Sequence, residues 1–231
     1  MFSRTIGTYS TADRAYSPTD LVSKLSGFSF EAQVVLRGQP IKLLRKLSSS
    51  TAVENYVEGT LEYDYVREMT TRESPKRTRR LTFVDEMKFW INPALGIVVA
   101  ANAEGARTLF ETISRALTDD ARDDVVRKAR YDIHQLRQQA QEVTHAGWKD
   151  IRGLGNVTSA AVGGPDIDTA TDYNRYDRAG HQFRITILLA ANNRQVKITV
   201  YETGSVIFWS TVSDAEVLAL IEQYLQPSLI P

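Results

Sequence analysis

The chain has 231 residues, no cysteine, and 28 Lys and Arg against 28 Asp and Glu. That length supports one large domain or two small ones with a real core. The missing cysteine excludes a disulfide scaffold, a thiol nucleophile and a thiolate metal site, and the balanced charge excludes a basic nucleic-acid coat or an acidic tail as a property of the whole chain. At 42% hydrophobic and 24% charged, the composition is that of a globular protein. Apolar runs such as Leu95 to Ala101 fall far short of the roughly 20 residues a membrane-crossing helix needs. The start, Met1-Phe2-Ser3-Arg4, lacks the apolar stretch of a secretion signal. A cytoplasmic protein with no membrane partner is expected.

In chain order, residues 1–17 read as a polar arm rich in Ser and Thr. Ser17-Pro18-Thr19-Asp20 predicts a helix start, with Leu21, Val22 and Leu25 as its apolar face and Gly27 as its stop. Alternating Phe28, Phe30, Ala32, Val34 and Leu36 predict a strand, and Pro40 to Leu47 a short helix or turn. Val57, Leu61, Tyr63, Tyr65 and Met69 then hold odd positions against Glu58, Thr60, Glu62, Asp64 and Glu68 at even ones. This alternation predicts a strand with one buried and one wet face. Thr70 to Lys76 is the turn, and Leu81, Phe83, Met87, Phe89 and Ile91 mark the returning strand. Gly96 to Ala100 predicts a third strand, followed by a helix from about Ala103 to Leu117.

The C-terminal part reads the same way. Phe183, Ile185, Ile187 and Leu189 alternate, Asn192-Asn193 signals a hairpin, and Val196, Ile198 and Val200 alternate on the return. Gly204 to Trp209 forms a third strand, and Ser213-Asp214-Ala215-Glu216 is a capping box opening a last helix. Aligning Gly96 with Gly204 also aligns Leu109 with Val217 and Ile113 with Ile221, the pattern of an internal repeat. Between the two parts, Val126, Ala129, Ile133, Leu136, Ala140 and Val143 are spaced alternately by three and four residues. That spacing predicts a long amphipathic helix, about 40 Å in length. The expected fold class is therefore α+β, with two β-β-β-α units of mainly antiparallel sheet. The N-terminal unit covers residues 1–117, the connecting helix 118–145 and the C-terminal unit 146–231, all within one compact domain.

No nucleophile elbow, P-loop or dinucleotide fingerprint is present. None of His134, His145 and His181 stands at ligand spacing from another ligand in a recognised motif, so no catalytic residue is assigned. Asp166, Asp168, Asp172 and Asp177 occupy positions 1, 3, 7 and 12 of a calcium-like loop. Ala170 and Thr171 stand where such a loop needs an oxygen ligand and a glycine.

Basic residues cluster at Lys76, Arg77, Arg79 and Arg80 on the first hairpin and at Arg127, Lys128, Arg130 and Arg137 on the long helix, where they suit phosphate contact. Glu73 and Asp85 flank the first cluster, and Asp119, Asp120, Asp123 and Asp124 precede the second. Trp90 and Trp209, with the helix seam at Val126, Ile133 and Leu136, are candidate partner-binding residues. The sequence thus points to a non-catalytic binding or adaptor protein, a subunit of a larger intracellular complex that needs no cofactor. Its partner is expected to be another protein or a second copy of the chain. The alternatives are a nucleic-acid-binding protein using the two basic clusters and a metal-dependent hydrolase using the acidic loop.

Overall fold

Period-two alternation dominates the folded chain. The computed structural model describes all residues except 12–15, 71, 73–77, 119–124 and 231. Its strands are β1 (Phe2–Thr8), β2 (Ser29–Leu36), β3 (Gln39–Val53), β4 (Tyr56–Thr70), β5 (Thr78–Asn92), β6 (Ile97–Ala100), β7 (Arg127–Lys128), β8 (Glu142–Lys149), β9 (Ser159–Gly163), β10 (His181–Ala191), β11 (Arg194–Tyr201) and β12 (Ser205–Phe208). The helices are short: α1 (Pro18–Leu25), α2 (Ala106–Thr118), α3 (Ile133–Gln139), α4 (Thr171–Ala179) and α5 (Asp214–Leu220). The chain divides into one unit of residues 7–127 and another of residues 1–6 with 128–231. Among the described residues, no helix is long and apolar enough to cross a membrane.

In the first unit the strands run in the order β2-β3-β4-β5-β6, each antiparallel to its neighbour. Leu47, Leu61, Met87, Phe89, Val98 and Ala100 form one core with Leu21 and Leu25 of α1 and Leu109, Phe110, Ile113 and Leu117 of α2. Each fully buried side chain of this kind contributes roughly 1.5–3 kcal/mol. Helix α1 starts where its sequence satisfies free N–H groups: Ser17 Oγ accepts from the Asp20 N–H, and the Asp20 carboxylate accepts from the Ser17 N–H. Further out, β4 and β5 continue as a long ribbon on which Tyr65 and Phe83 stack with ring centroids 5.6 Å apart.

In the second unit the order is β1-β12-β11-β10-β8-β9, again antiparallel throughout. Ile185, Ile187 and Leu189 of β10, Val196, Ile198 and Val200 of β11, and Val206 and Phe208 of β12 are fully buried on one face. Helix α3 packs on β10 and buries Ile133 and Leu136. Ser213 and Glu216 close the capping box that starts α5. Asn192 and Asn193 both have positive φ, which gives the hairpin turn a twist matching its strands.

Three expectations are overturned. The α+β reading, with units joined by a long amphipathic helix, gives way to a mostly antiparallel β chain with five short helices among the described residues. Among the described residues of 118–145, no continuous helix is present. Ala129 N–H donates to the Ile6 carbonyl at 2.8 Å and Tyr131 N–H to the Glu202 carbonyl at 2.9 Å, which holds this backbone extended. Helix α3 begins only after Asp132, whose carboxylate accepts from the His134 and Gln135 N–H groups. It stops at Ala140, and Val143 belongs to β8. Val126, Ala129, Ile133, Leu136 and Val143 are all buried, but in different local structures, so their spacing imitated a helix seam. The predicted N-terminal arm contains β1, and residues 40–47 lie within β3, which pairs on one side with β2 and on the other with β4.

Gly204 holds a junction of the second unit. Its φ is +83°, and a Cβ there would meet the Ala129 carbonyl oxygen at 2.7 Å and that of Ile6 at 2.9 Å. Gly153 has a similar φ of +76° but open space around it. Gly153→Ala is expected to lower stability by about 1 kcal/mol through backbone strain, and Gly204→Ala by at least about 2 kcal/mol because two carbonyls must also move. Urea unfolding of the two variants checks this; equal losses would refute the crowding at Gly204.

Candidate functional site

The face of the second sheet opposite its buried apolar set carries an unusual collection of side chains. Strand register fixes who shares it. Gly163, His145, Thr186, Thr199, Ile207 and Ser3 lie in one row across β9, β8, β10, β11, β12 and β1. A second row holds Ala161, Gly147, Arg184 and Tyr201, and a third holds Glu142, Leu188 and Lys197. Trp209, just past β12, donates its backbone N–H to the Lys197 carbonyl at 3.0 Å, and its side chain is half exposed.

Two glycines allow the polar side chains to lie flat on this sheet. A Cβ on Gly163 would meet His145 Cδ2 at 2.6 Å. One on Gly147 would meet Arg184 Nε at 2.7 Å and the Phe183 ring at 3.3 Å. The imidazole of His145 and the guanidinium of Arg184 therefore rest over bare backbone, with the Arg184 Cζ 5.6 Å from the Phe183 ring centroid. Phe183 and Tyr201 have centroids 6.5 Å apart. Buried Thr186 and Thr199 share a hydroxyl hydrogen bond of 2.8 Å, and Trp209 Nε1–H donates to Thr199 Oγ1 at 2.8 Å. That bond fixes the indole over the sheet while leaving half of its surface open.

The electrostatics of this face are unbalanced. Among the described residues, neither Arg184 nor Lys197 forms an ion pair. Burial lowers the pKa of His145, and the positive charges of Lys197 and Arg184 push it lower still. Glu142 is the acidic residue in these rows, at the end beside Leu188.

Elsewhere in the unit, several cations are paired with carboxylates. Glu202 is buried and accepts from His181 Nε2 at 2.7 Å and Arg130 at 2.7 Å, with Lys149 at 3.8 Å. Burial raises its pKa, but the hydrogen bonds from His181 and Arg130 and the nearby positive charge outweigh this and hold the carboxyl below its ordinary range. Arg137 lies 3.4 Å from Asp168 and 3.9 Å from Asp177, over the ring of Tyr173 at 4.7 Å. A groove of about 540 Å³ separates the β10–β11 turn from α5. Its charged groups satisfy each other: Arg194 pairs with Glu216 at 2.7 Å, and Tyr224 donates to the Ala190 carbonyl at 2.7 Å.

The residues singled out from sequence are dispersed. Lys76 and Arg77 lie outside the described residues, as do Glu73, Asp119, Asp120, Asp123 and Asp124. Arg79 and Arg80 begin β5, with Arg80 paired to Glu68 at 3.2 Å. Arg127 and Lys128 form β7, Arg130 belongs to the Glu202 cluster, and Arg137 is on α3. Trp90 is buried and donates to Glu58 at 3.2 Å, and Val126, Ile133 and Leu136 are core residues, which leaves Trp209 as the accessible member of that set. Asp166 has a φ of +43°, Asp172 is exposed in the first turn of α4, and Asp177 accepts from Trp148 Nε1 at 3.3 Å. Among the described residues, no three His, Asp or Glu side chains converge as a metal site requires.

His145 stands at no recognised ligand spacing, and Arg184, Lys197, Thr186 and Thr199 fall in no sequence motif. The signal for the last four was present, since they hold the positions between the apolar ones on β10 and β11. His145 was hidden by the helix assigned to its segment. No family model matches the chain, and no curated protein matches it.

Two titrations follow from these clusters. His145 is expected to titrate below the ordinary histidine value of 6.5, and Lys197→Ala or Arg184→Ala to raise its pKa. NMR of the imidazole protons measures both, and a normal value unmoved by either substitution contradicts the arrangement. Because the folded pKa of Glu202 lies below its ordinary 4.5, its stabilising contribution is complete above that pH and is lost as pH falls through the lower folded value. Glu202→Gln is expected to flatten the acid side of the stability–pH curve; an unchanged slope would show that the cluster contributes nothing there.

Proposed function

We propose that this chain is a non-catalytic binding protein, a subunit of a larger complex, and that the open face of its second sheet holds a negatively charged partner. The single observation carrying this reading is the pair of cations Arg184 and Lys197, without an ion pair among the described residues, on a face where two glycines let Arg184 and the imidazole of His145 lie flat against the sheet. A ligand's negative charge would find here two cations that no carboxylate among the described residues pairs with. The same unit pairs Arg130 and Arg137 with carboxylates. The half-exposed Trp209 adds a rigid aromatic anchor beside Lys197. The absence of cysteine supports a cytoplasmic setting.

Heparin, a polyanion, tests the reading. The chain is expected to be retained on a heparin column, and the Arg184→Ala/Lys197→Ala double variant to elute at clearly lower salt with unchanged circular dichroism. Arg79→Ala, which removes a cation from the first unit, is expected to leave elution unchanged. No retention, or equal elution of the double variant and the parent, removes the open face as an anion-binding surface.

A further inference from the structure

We infer that the anionic partner is a single-stranded nucleic acid, with phosphates on Arg184, Lys197 and His145 and a base stacked on the indole of Trp209. This rests on the reading of the open face as an anion-binding surface and adds the chemistry of what lies there. A surface for anions in general needs cations only. This one alternates cations with rings: Phe183 and Tyr201 stand beside Arg184, and Trp209 beside Lys197. A polymer that alternates phosphate with a planar base matches that alternation, whereas an acidic peptide has charge but no flat partner for the rings.

The fixed indole strengthens the choice. Its N–H is already used by Thr199 Oγ1, so what the ring offers outward is its surface rather than a donor. A stacked base fits that surface without demanding a particular sequence. Duplex bases are stacked on one another and offer Trp209 no free face, so a duplex would engage the cations only. The site also has room for more than one nucleotide. From His145 on β8 to Trp209 beyond β12 is three strand spacings, or about 14 Å. Thr186 and Thr199 lie buried beneath the middle of that path.

The probe is an oligodeoxythymidine of about 12 nucleotides, within the range of single-strand site sizes. Comparators are a duplex of that length, an oligomer of the same deoxyribose-phosphate backbone without bases, and polyglutamate. Trp90 and Trp148 are buried, so quenching of the accessible tryptophan reports on Trp209. The thymidine strand is expected to bind and to quench this fluorescence. Trp209→Ala should weaken its binding about tenfold or more, and Trp209→Phe, which keeps a ring, should restore most of the loss. Binding of the base-free oligomer should be unchanged by Trp209→Ala. Arg184→Ala and Lys197→Ala should each lower the slope of log affinity against log salt by about 0.7. If the base-free oligomer or the duplex binds as tightly as the thymidine strand, or if Trp209→Ala has no effect, the inference fails while the anion-binding reading stands. Binding of polyglutamate without the thymidine strand assigns the face to an acidic protein and likewise overturns it. If the thymidine strand and heparin both fail to bind, both readings fall.

Discussion

Antiparallel pairing sends successive side chains to opposite faces, and the rest of the second unit depends on that constraint. The strands of β10 and β11 use their backbone groups on each other and on neighbouring strands. One face carries Ile185, Ile187, Leu189, Val196, Ile198 and Val200, all fully buried. The hydrophobic gain from that side fixes the register, because a slip of one residue would turn every apolar side chain outward. The second face is left free of that duty. Arg184, Thr186 and Lys197 are where they are because the apolar set is where it is.

How the two faces treat charge is informative. On the Glu202 cluster, one buried carboxylate gathers His181, Arg130 and Lys149. Arg137 is held between two aspartates and over a tyrosine ring. Such groups are satisfied within the chain and order the connections around the sheet. The open face is organised differently. Its hydroxyls are paired and its indole is fixed, yet Arg184, lying over glycine backbone, and Lys197 form no ion pair among the described residues. Rigid positioning combined with unmet charge is the arrangement expected of a preformed binding surface.

The strands were largely legible in the sequence. Alternation in Val57 to Met69 and in Phe183 to Leu189 corresponds to β4 and β10, and Asn192-Asn193 makes the turn it signals. Ser17 and Ser213 open helices through the same reciprocal bonding that their spacing to Asp20 and Glu216 suggests. The segment from Val126 to Val143 was misread because its backbone partners are remote. Ile6 and Glu202 hold Ala129 and Tyr131 extended, and no local pattern announces a bond to a residue so far away in sequence. In place of one helix face, Arg127 and Lys128 lie on β7, Arg137 on α3 and Arg130 between the two. The face bearing Arg184 and Lys197 was readable as the counter-phase of two correctly placed strands. Its meaning required register, because only pairing shows that Gly147 and Gly163 lie beside Arg184 and His145.

The pairing of β1 with β12 sets the order in which this protein can assemble. Phe2 stacks on Phe208 with centroids 5.2 Å apart, and Arg4 meets Asp214 across 210 residues of sequence. In an otherwise unfolded chain, closing such a loop costs roughly 3 kcal/mol more entropy than closing one of about ten residues. The β10–β11 hairpin can therefore form early, while β12 waits for the other end of the chain. Until β1 arrives, one edge of β12 presents unpaired N–H and C=O groups to any passing strand. During synthesis the first strand leaves the ribosome long before its neighbour exists. Over that interval it is β1 whose edge toward β12 has no partner.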